Sequence, residues 1–251
     1  MRQFLVEKAE RYAVASFVQD DPVQIPHAFE DPLDIEISGL LAATLSWGGR
    51  ATIISKSKEL VARMDQSPAD FVKSHTAADL RQLDGFVHRT FQSEDLKGLV
   101  VALRQLFLSY DSIGQFMVSH LGEDPAHLGA AFDAFRTFLL THGLPARAAK
   151  HFGSPAKGSA AKRLVMYSRW MARPADEGID FGLWPLSPAL LSLPLDVHSG
   201  RVARTLGLLG RTQNDWKAVR ELDDAVRALL PEDPAKLDYA LFGLGVYEGW
   251  K

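Results

Sequence analysis

Apolar residues recur at three- and four-residue spacing through most of this chain, while the strict alternation of a half-buried strand is scarce. That periodicity restricts the fold to packed helices. No heptad pattern persists, so a long coiled coil is excluded, and the chain is punctuated by Gly and Pro into about ten short helices, as in a compact multi-helix globule. Asp34 is placed to cap a helix through Leu40, Leu41 and Leu45 that Gly48-Gly49 ends. A second helix carries Ile53, Ile54, Leu60, Val61 and Met64, and Pro68 opens a short one through Phe71 and Val72. Further helices are expected over Leu96–Tyr110, Ser112–Leu121, His127–Leu140, Ser159–Met171, Val197–Leu206, Thr212–Leu230 and Pro234–Leu244. Between Arg173 and Leu195, four prolines and two glycines predict a structured loop or a crossing between lobes. There is no internal repeat and no low-complexity tract.

At 251 residues, with 47% hydrophobic and 24% charged side chains, the chain can bury a sizeable core and is not disordered or collagen-like. It contains no cysteine, which removes disulfides, thiolate zinc sites, iron–sulfur clusters and cysteine nucleophiles. The N-terminal segment becomes charged before an apolar core of signal-peptide length develops, and no stretch approaches the roughly 20 apolar residues of a membrane span. A cytoplasmic protein without membrane contact is expected.

Net charge is −3, yet its distribution is uneven. Residues 145–173 carry seven basic side chains (Arg147, Lys150, Lys157, Lys162, Arg163, Arg169 and Arg173) and no acidic one, whereas Glu221 to Asp238 is dominated by acids. A basic patch on a mildly acidic protein suits a phosphate-bearing partner, and it equally describes a solvated helix face. The most informative block is Leu193-Pro194-Leu195-Asp196-Val197-His198-Ser199-Gly200-Arg201. Pro194 stops what precedes it, and Asp196 stands where a helix N-cap belongs, with its ionised carboxylate favoured by free N–H groups. Val197, Val202 and Leu206 are expected inward, Arg201 and Arg204 outward. As residues alone, Asp196 reads either as a cap only or as a cap with a chemical role.

This block resembles the corresponding segment of the helix-hairpin-helix DNA glycosylase superfamily, the group of endonuclease III and the 8-oxoguanine glycosylases. Asp21-Pro22-Val23-Gln24-Ile25-Pro26-His27, Leu45-Ser46-Trp47-Gly48-Gly49-Arg50, Phe86-Val87-His88-Arg89-Thr90-Phe91, Ser159-Ala160-Ala161-Lys162-Arg163-Leu164 and Tyr239-Ala240-Leu241-Phe242-Gly243 are similar to a bacterial family of unassigned function near that superfamily. The resemblance implies an all-α, two-lobed fold in one unit spanning 1–251, with lobe A about 30–175, lobe B about 1–29 plus 190–251, and the active site in the cleft between them. It implies Lys162 as the nucleophile at the damaged nucleotide's C1′ and Asp196 as its carboxylate partner. The usual hairpin reads Leu-Pro-Gly-Val-Gly-x-Lys, whereas Gly153-Ser154-Pro155-Ala156-Lys157-Gly158-Ser159 stands ahead of Lys162 here, which makes Lys157 a rival nucleophile. The longer interval from Lys162 to Asp196 and the lack of cysteine resemble the archaeal 8-oxoguanine glycosylase branch.

Such a reading implies a DNA glycosylase, with or without AP lyase activity, that removes an oxidised purine such as 8-oxoguanine from double-stranded damaged DNA. A monomer, nucleoid-associated when bound to DNA, is expected, with no metal and no cofactor. Base extrusion needs aromatic walls, for which Trp47 and Trp184 are the candidates, although Trp is more often core. Lys157, Arg163, Arg169, Arg50, His88, Arg89 and Arg201 are the candidates for the DNA backbone. His88-Arg89 alternatively pins its own loop, and His198 holds Asp196 or touches the DNA. Two rivals remain: a non-catalytic DNA- or RNA-binding module of the same fold, and a small-molecule enzyme using a buried lysine.

Overall fold

The computed structural model describes residues 1–122 and 128–250. Among these, the only sheet is a hairpin of two two-residue strands, β1 (Val87–His88) and β2 (Phe91–Gln92), in which Arg89 adopts a left-handed conformation at φ 56°. All other regular structure is helical. The α-helices are α1 (Arg2–Tyr12), α2 (Pro32–Leu45), α3 (Arg50–Ala62), α4 (Pro68–Ser74), α5 (Ser93–Leu106), α6 (Ile113–Ser119), α7 (Gly129–Thr141), α8 (Lys162–Ala172), α9 (Val197–Thr205), α10 (Trp216–Leu229) and α11 (Leu237–Val246). The expected start of α7 at His127 lies outside the described residues. The proline-rich stretch 173–195 is irregular apart from short 3-10 turns, as its composition predicts.

Helix α2 is the hub. Every residue from Ile35 to Leu45 is buried, as expected of a helix surrounded by protein on all sides. Its cap is Asp31, whose carboxylate accepts from the backbone N–H groups of Leu33 and Asp34, with Pro32 at the first helical position. Asp34, the cap expected from sequence, instead accepts from the N–H of Ala69 and so ties down the start of α4. Inside α2, the buried Glu36 accepts from the N–H groups of Ile113 and Gly114 at the start of α6 and from the indole N–H of Trp184. Burial raises its pKa, and those three donors act against the rise.

Two hydrophobic clusters result. The larger spans α2 to α8 and the first part of the crossing; the smaller joins Leu5 and Ala9 of α1 to Leu193, Leu195 and the inner faces of α9, α10 and α11. The first 29 residues divide between them: Leu5 and Ala9 join the smaller, whereas Ala13, Val23 and Ile25 join the larger. Helix α1, whose charged sequence gives little periodic signal, packs along α11. The Gly243-Leu244-Gly245 run lies at the end of α11, which closes at Val246. Gly243 is there because a Cβ at that position would lie 1.9 Å from the Tyr12 ring.

Gly243→Ala is therefore expected to lower stability by about 1–3 kcal/mol through overpacking. Chemical unfolding beside Gly49→Ala, whose Cβ would meet only Thr52 Oγ1 at 3.9 Å, checks this. Equal stability of the two variants would show that α1 is not clamped at this crossing.

Candidate functional site: a lysine–aspartate pair at a cavity wall

Lys162 is the first residue of α8, and Asp196 is the N-cap of α9. Their side chains meet: Lys162 Nζ donates to Asp196 Oδ2 at 2.7 Å, with the two side chains 40% and 31% exposed. The other carboxylate oxygen, Oδ1, accepts from the N–H groups of His198 (2.8 Å) and Ser199 (2.9 Å), and Ser199 Oγ accepts in return from the N–H of Asp196. Capping and pairing thus use different oxygens of one carboxylate. Burial alone would raise the Asp196 pKa, but the Lys162 charge and these hydrogen bonds outweigh it and hold the carboxyl below its ordinary value.

The pair lies on a cavity of about 350 Å³, to which five stretches contribute. The turn between α2 and α3 supplies Ser46, Trp47, Gly48 and Arg50, and α8 supplies Lys162, Met166 and Arg169. Pro194, Asp196, His198 and Ser199 form a third side, while Asp238, Tyr239, Phe242 and Val246 of α11, with Phe17, Asp21 and Pro22, complete it. Arg50 lies over the Phe242 ring, 5.7 Å from its centroid. Gly48 has φ 110°, and a Cβ there would come within 2.9 Å of Arg89 Nη1, so the turn stays bare at the mouth.

Several expected site residues are elsewhere. Trp184 is only 5% exposed, hydrogen-bonded to Glu36 and edge-on to Tyr167, so it is a core residue and not a wall of this cavity. His88 is 2% exposed, its Nε2 is 3.3 Å from the Trp47 carbonyl oxygen, and its ring packs edge-on to Trp47; it pins its loop and is closed to a DNA backbone. Arg169 and Arg173 are buried too, so the basic run is not one solvated face. Arg163 is turned inward, donating to the carbonyls of Thr44 and Lys150. Val197, expected inward, is exposed. Arg50, Arg89, Lys157 and Arg201 are exposed, and Lys157 does not line the cavity.

The acidic groups of the cavity escaped sequence reasoning. Arg169 pairs with Asp238 and lies 3.6 Å from Asp180, while Arg173 pairs with Asp180 and Asp233. Tyr239 donates its hydroxyl to Asp180 and carries Arg169 over its ring at 4.5 Å. Burial pushes the Asp238 carboxyl up to about 6 despite Arg169, and burial also raises Asp21. Both lie in or beside blocks whose residue types stand out, but only the fold gathers them at Lys162. Among the described residues, no group of three or more His, Asp or Glu side chains is placed to hold a metal ion.

The fold and site thus define an all-helical protein with a lysine–aspartate pair at the wall of a solvent-reaching cavity. The chain belongs to the family described as protein of unknown function (DUF2400), whose profile matches residues 21–247. Compared with curated proteins and with solved structures, it has no significant match in either. Among the described residues, no helix is long and apolar enough to cross a membrane.

The two carboxylates should affect stability with opposite pH dependence. Asp196, depressed in the fold, stabilises above its unfolded pKa of about 3.9, and that contribution is lost as pH falls through its lower folded value. Asp238, raised to about 6, takes up a proton more readily when folded, so its contribution is fully present below about 3.9 and lost as pH rises to 6. Asp238→Asn carries a constant cost from leaving Arg169 less well matched, and that cost should shrink relative to wild type by up to about 3 kcal/mol as pH rises from 4 to 7, whereas Asp196→Asn should recover only under more acid conditions. Urea unfolding across that range measures both, and parallel pH profiles for the two variants would contradict the assignments.

Proposed function

We propose that the protein is a DNA base-excision glycosylase with Lys162 as nucleophile, acting on duplex DNA that carries an oxidised purine such as 8-oxoguanine. The observation that carries this reading is the 2.7 Å contact of Lys162 with Asp196 at the wall of a cavity of about 350 Å³. Two residues 34 apart, on different helices and identified by resemblance, meet there. In this reading the two hydrophobic clusters are the two lobes of a helix-hairpin-helix-like fold, and the cavity receives the extruded base.

The chemistry follows from the pair. Lys162 must lose its ammonium proton before it can attack, and Asp196 Oδ2 is in place to accept it. The free Nζ then bonds to C1′ as the C1′–N bond breaks; its electron pair leaves with the base, which takes up a proton. Loss of a second proton from Nζ and opening of the sugar give the Schiff base. Water releases it, or β-elimination cleaves the strand 3′ to the lesion. Once Asp196 has passed that proton on to water, its carboxylate is ionised again and stabilises positive charge developing on the sugar. Exposed Arg50 and Arg89 near the mouth, with Lys157 and Arg201, supply cations for the backbone.

A second reading, a non-catalytic DNA- or RNA-binding module, is favoured by one observation. The segment ahead of α8 contains 3-10 turns at Ala146–His151 and Pro155–Lys157 where the resemblance implies a full helical hairpin. Borohydride trapping on duplexes containing 8-oxoguanine or an abasic site separates the two. The covalent adduct should form with wild type, disappear in Lys162→Gln and persist in Lys157→Gln. Base release should fall by about 10²–10⁴ in Asp196→Asn. Absence of any adduct and of free base would leave the binding module.

Affinity for duplex DNA should fall linearly with salt on a log–log scale, and neutralising Arg50 or Lys157 should reduce the slope by about 1 each. A flat salt response would remove DNA as the partner.

A further inference from the structure

Trp47 is not an isolated aromatic wall. The Arg163 guanidinium carbon lies 4.9 Å from its ring centroid, and the His151 ring centroid lies 4.8 Å away at an interplanar angle of 34°. Arg163 Nη1 and His151 Nδ1 are themselves only 3.4 Å apart. Groups on opposite faces of the indole would be separated by about the sum of the first two distances, so Arg163 and His151 back the same side. His88 packs at 77° to the indole and is buried, and of these four residues only Trp47 lines the cavity, so Arg163, His151 and His88 back it from behind the wall.

We infer that Trp47 and Arg163 act as one unit that selects the charge of the ring bound in the cavity, accepting neutral or anionic heteroaromatic bases and rejecting cationic ones. The inference rests on the reading of this cavity as a base pocket and names the class of base it takes. A guanidinium held against one side of an indole engages its electron density, leaving the ring a better partner for an electron-rich base and a poorer one for a second cation. Arg163 is fixed by the carbonyls of Thr44 and Lys150 and cannot swing aside without breaking both hydrogen bonds. Burial lowers its pKa to about 10, which leaves it charged at neutral pH. His151 is held near 4, first by burial and then by Arg163, so it is neutral and the charge behind Trp47 is that of Arg163 alone. The carboxylates of Asp196 and Asp238 do not cancel this preference, because Asp196 is matched by Lys162 and Asp238 by Arg169.

Two methylated nucleosides of equal size provide the test: N6-methyladenosine, which is neutral at neutral pH, and 1-methyladenosine, which is a cation there. Each is titrated into the full-length protein while tryptophan emission is followed, and Trp47→Leu identifies the part of the signal due to Trp47. The neutral isomer should bind about tenfold more tightly than the cation. Arg163→Met should bring the ratio close to unity, and Arg163→Lys, which keeps the charge, should retain most of it. Circular dichroism shows that each variant is folded; if Arg163→Met is not, calorimetric titration of folded Trp47→Leu decides the matter, because the cations Arg50 and Lys162 remain there and only the indole is lost. Equal affinities in wild type, a ratio unchanged in folded Arg163→Met, or no response of Trp47 to either nucleoside would overturn the inference. Discrimination without Schiff-base trapping would remove only the catalytic reading; trapping without discrimination would remove only this one.

Discussion

The buried ionic network of Arg169, Arg173, Asp180, Asp233 and Asp238, with the Tyr239 hydroxyl, is the constraint on which the geometry of the cavity depends. It ties α8 to α11, and those two helices carry Lys162 and Phe242 respectively. Removing a guanidinium from water costs several kcal/mol unless acidic partners surround it, so such a network does more to fix one arrangement than to add stability. Losing one member would leave a buried charge unmatched and allow the two helices to part. The distance from the Lys162 amine to the opposite wall is therefore set by charges that do not touch Lys162.

The same logic of shared anchors recurs around α2. Glu36 satisfies the first N–H groups of α6 and the Trp184 indole at once, and Asp34 performs the first of these services for α4. Three helix starts and one tryptophan are thereby registered against a single buried helix by two carboxylates and the Asp31 cap. The cavity is built at the C-terminal end of that helix, where Trp47 and Gly48 leave the core.

Much of the fold was legible because short-range signals carry it. Pro68, Ser112 and Asp196 mark helix starts, and the apolar spacing of α5, α8 and α10 marks their inner faces. The cap of α2 was misplaced at Asp34: Pro32 at the first helical position points to Asp31, a signal the apolar spacing alone does not carry. Helix α1 gave no such signal: Leu5 and Ala9 are its only buried residues, and its stability comes from α11, more than 200 positions away. The site shows the same division. Lys162 and Asp196 were found through the blocks that surround them, whereas Trp184, close to Asp196 in sequence, is claimed by Glu36, 148 residues earlier. The seven basic residues of 145–173 looked equivalent because nothing local announces that acids at 180, 233 and 238 will enclose two of them.

Because Asp196 caps α9 through one oxygen and meets Lys162 through the other, the two roles can be inherited separately. A relative without the proposed chemistry would still be held to Asp or a close substitute at this position by the folding of α9 alone. Lys162 is under no such obligation: its amine pairs with Asp196 and caps nothing, and α8 would begin as well with many other side chains. Across related chains, the lysine is therefore the position that tests the proposed chemistry, and the aspartate a witness only of the helix it starts.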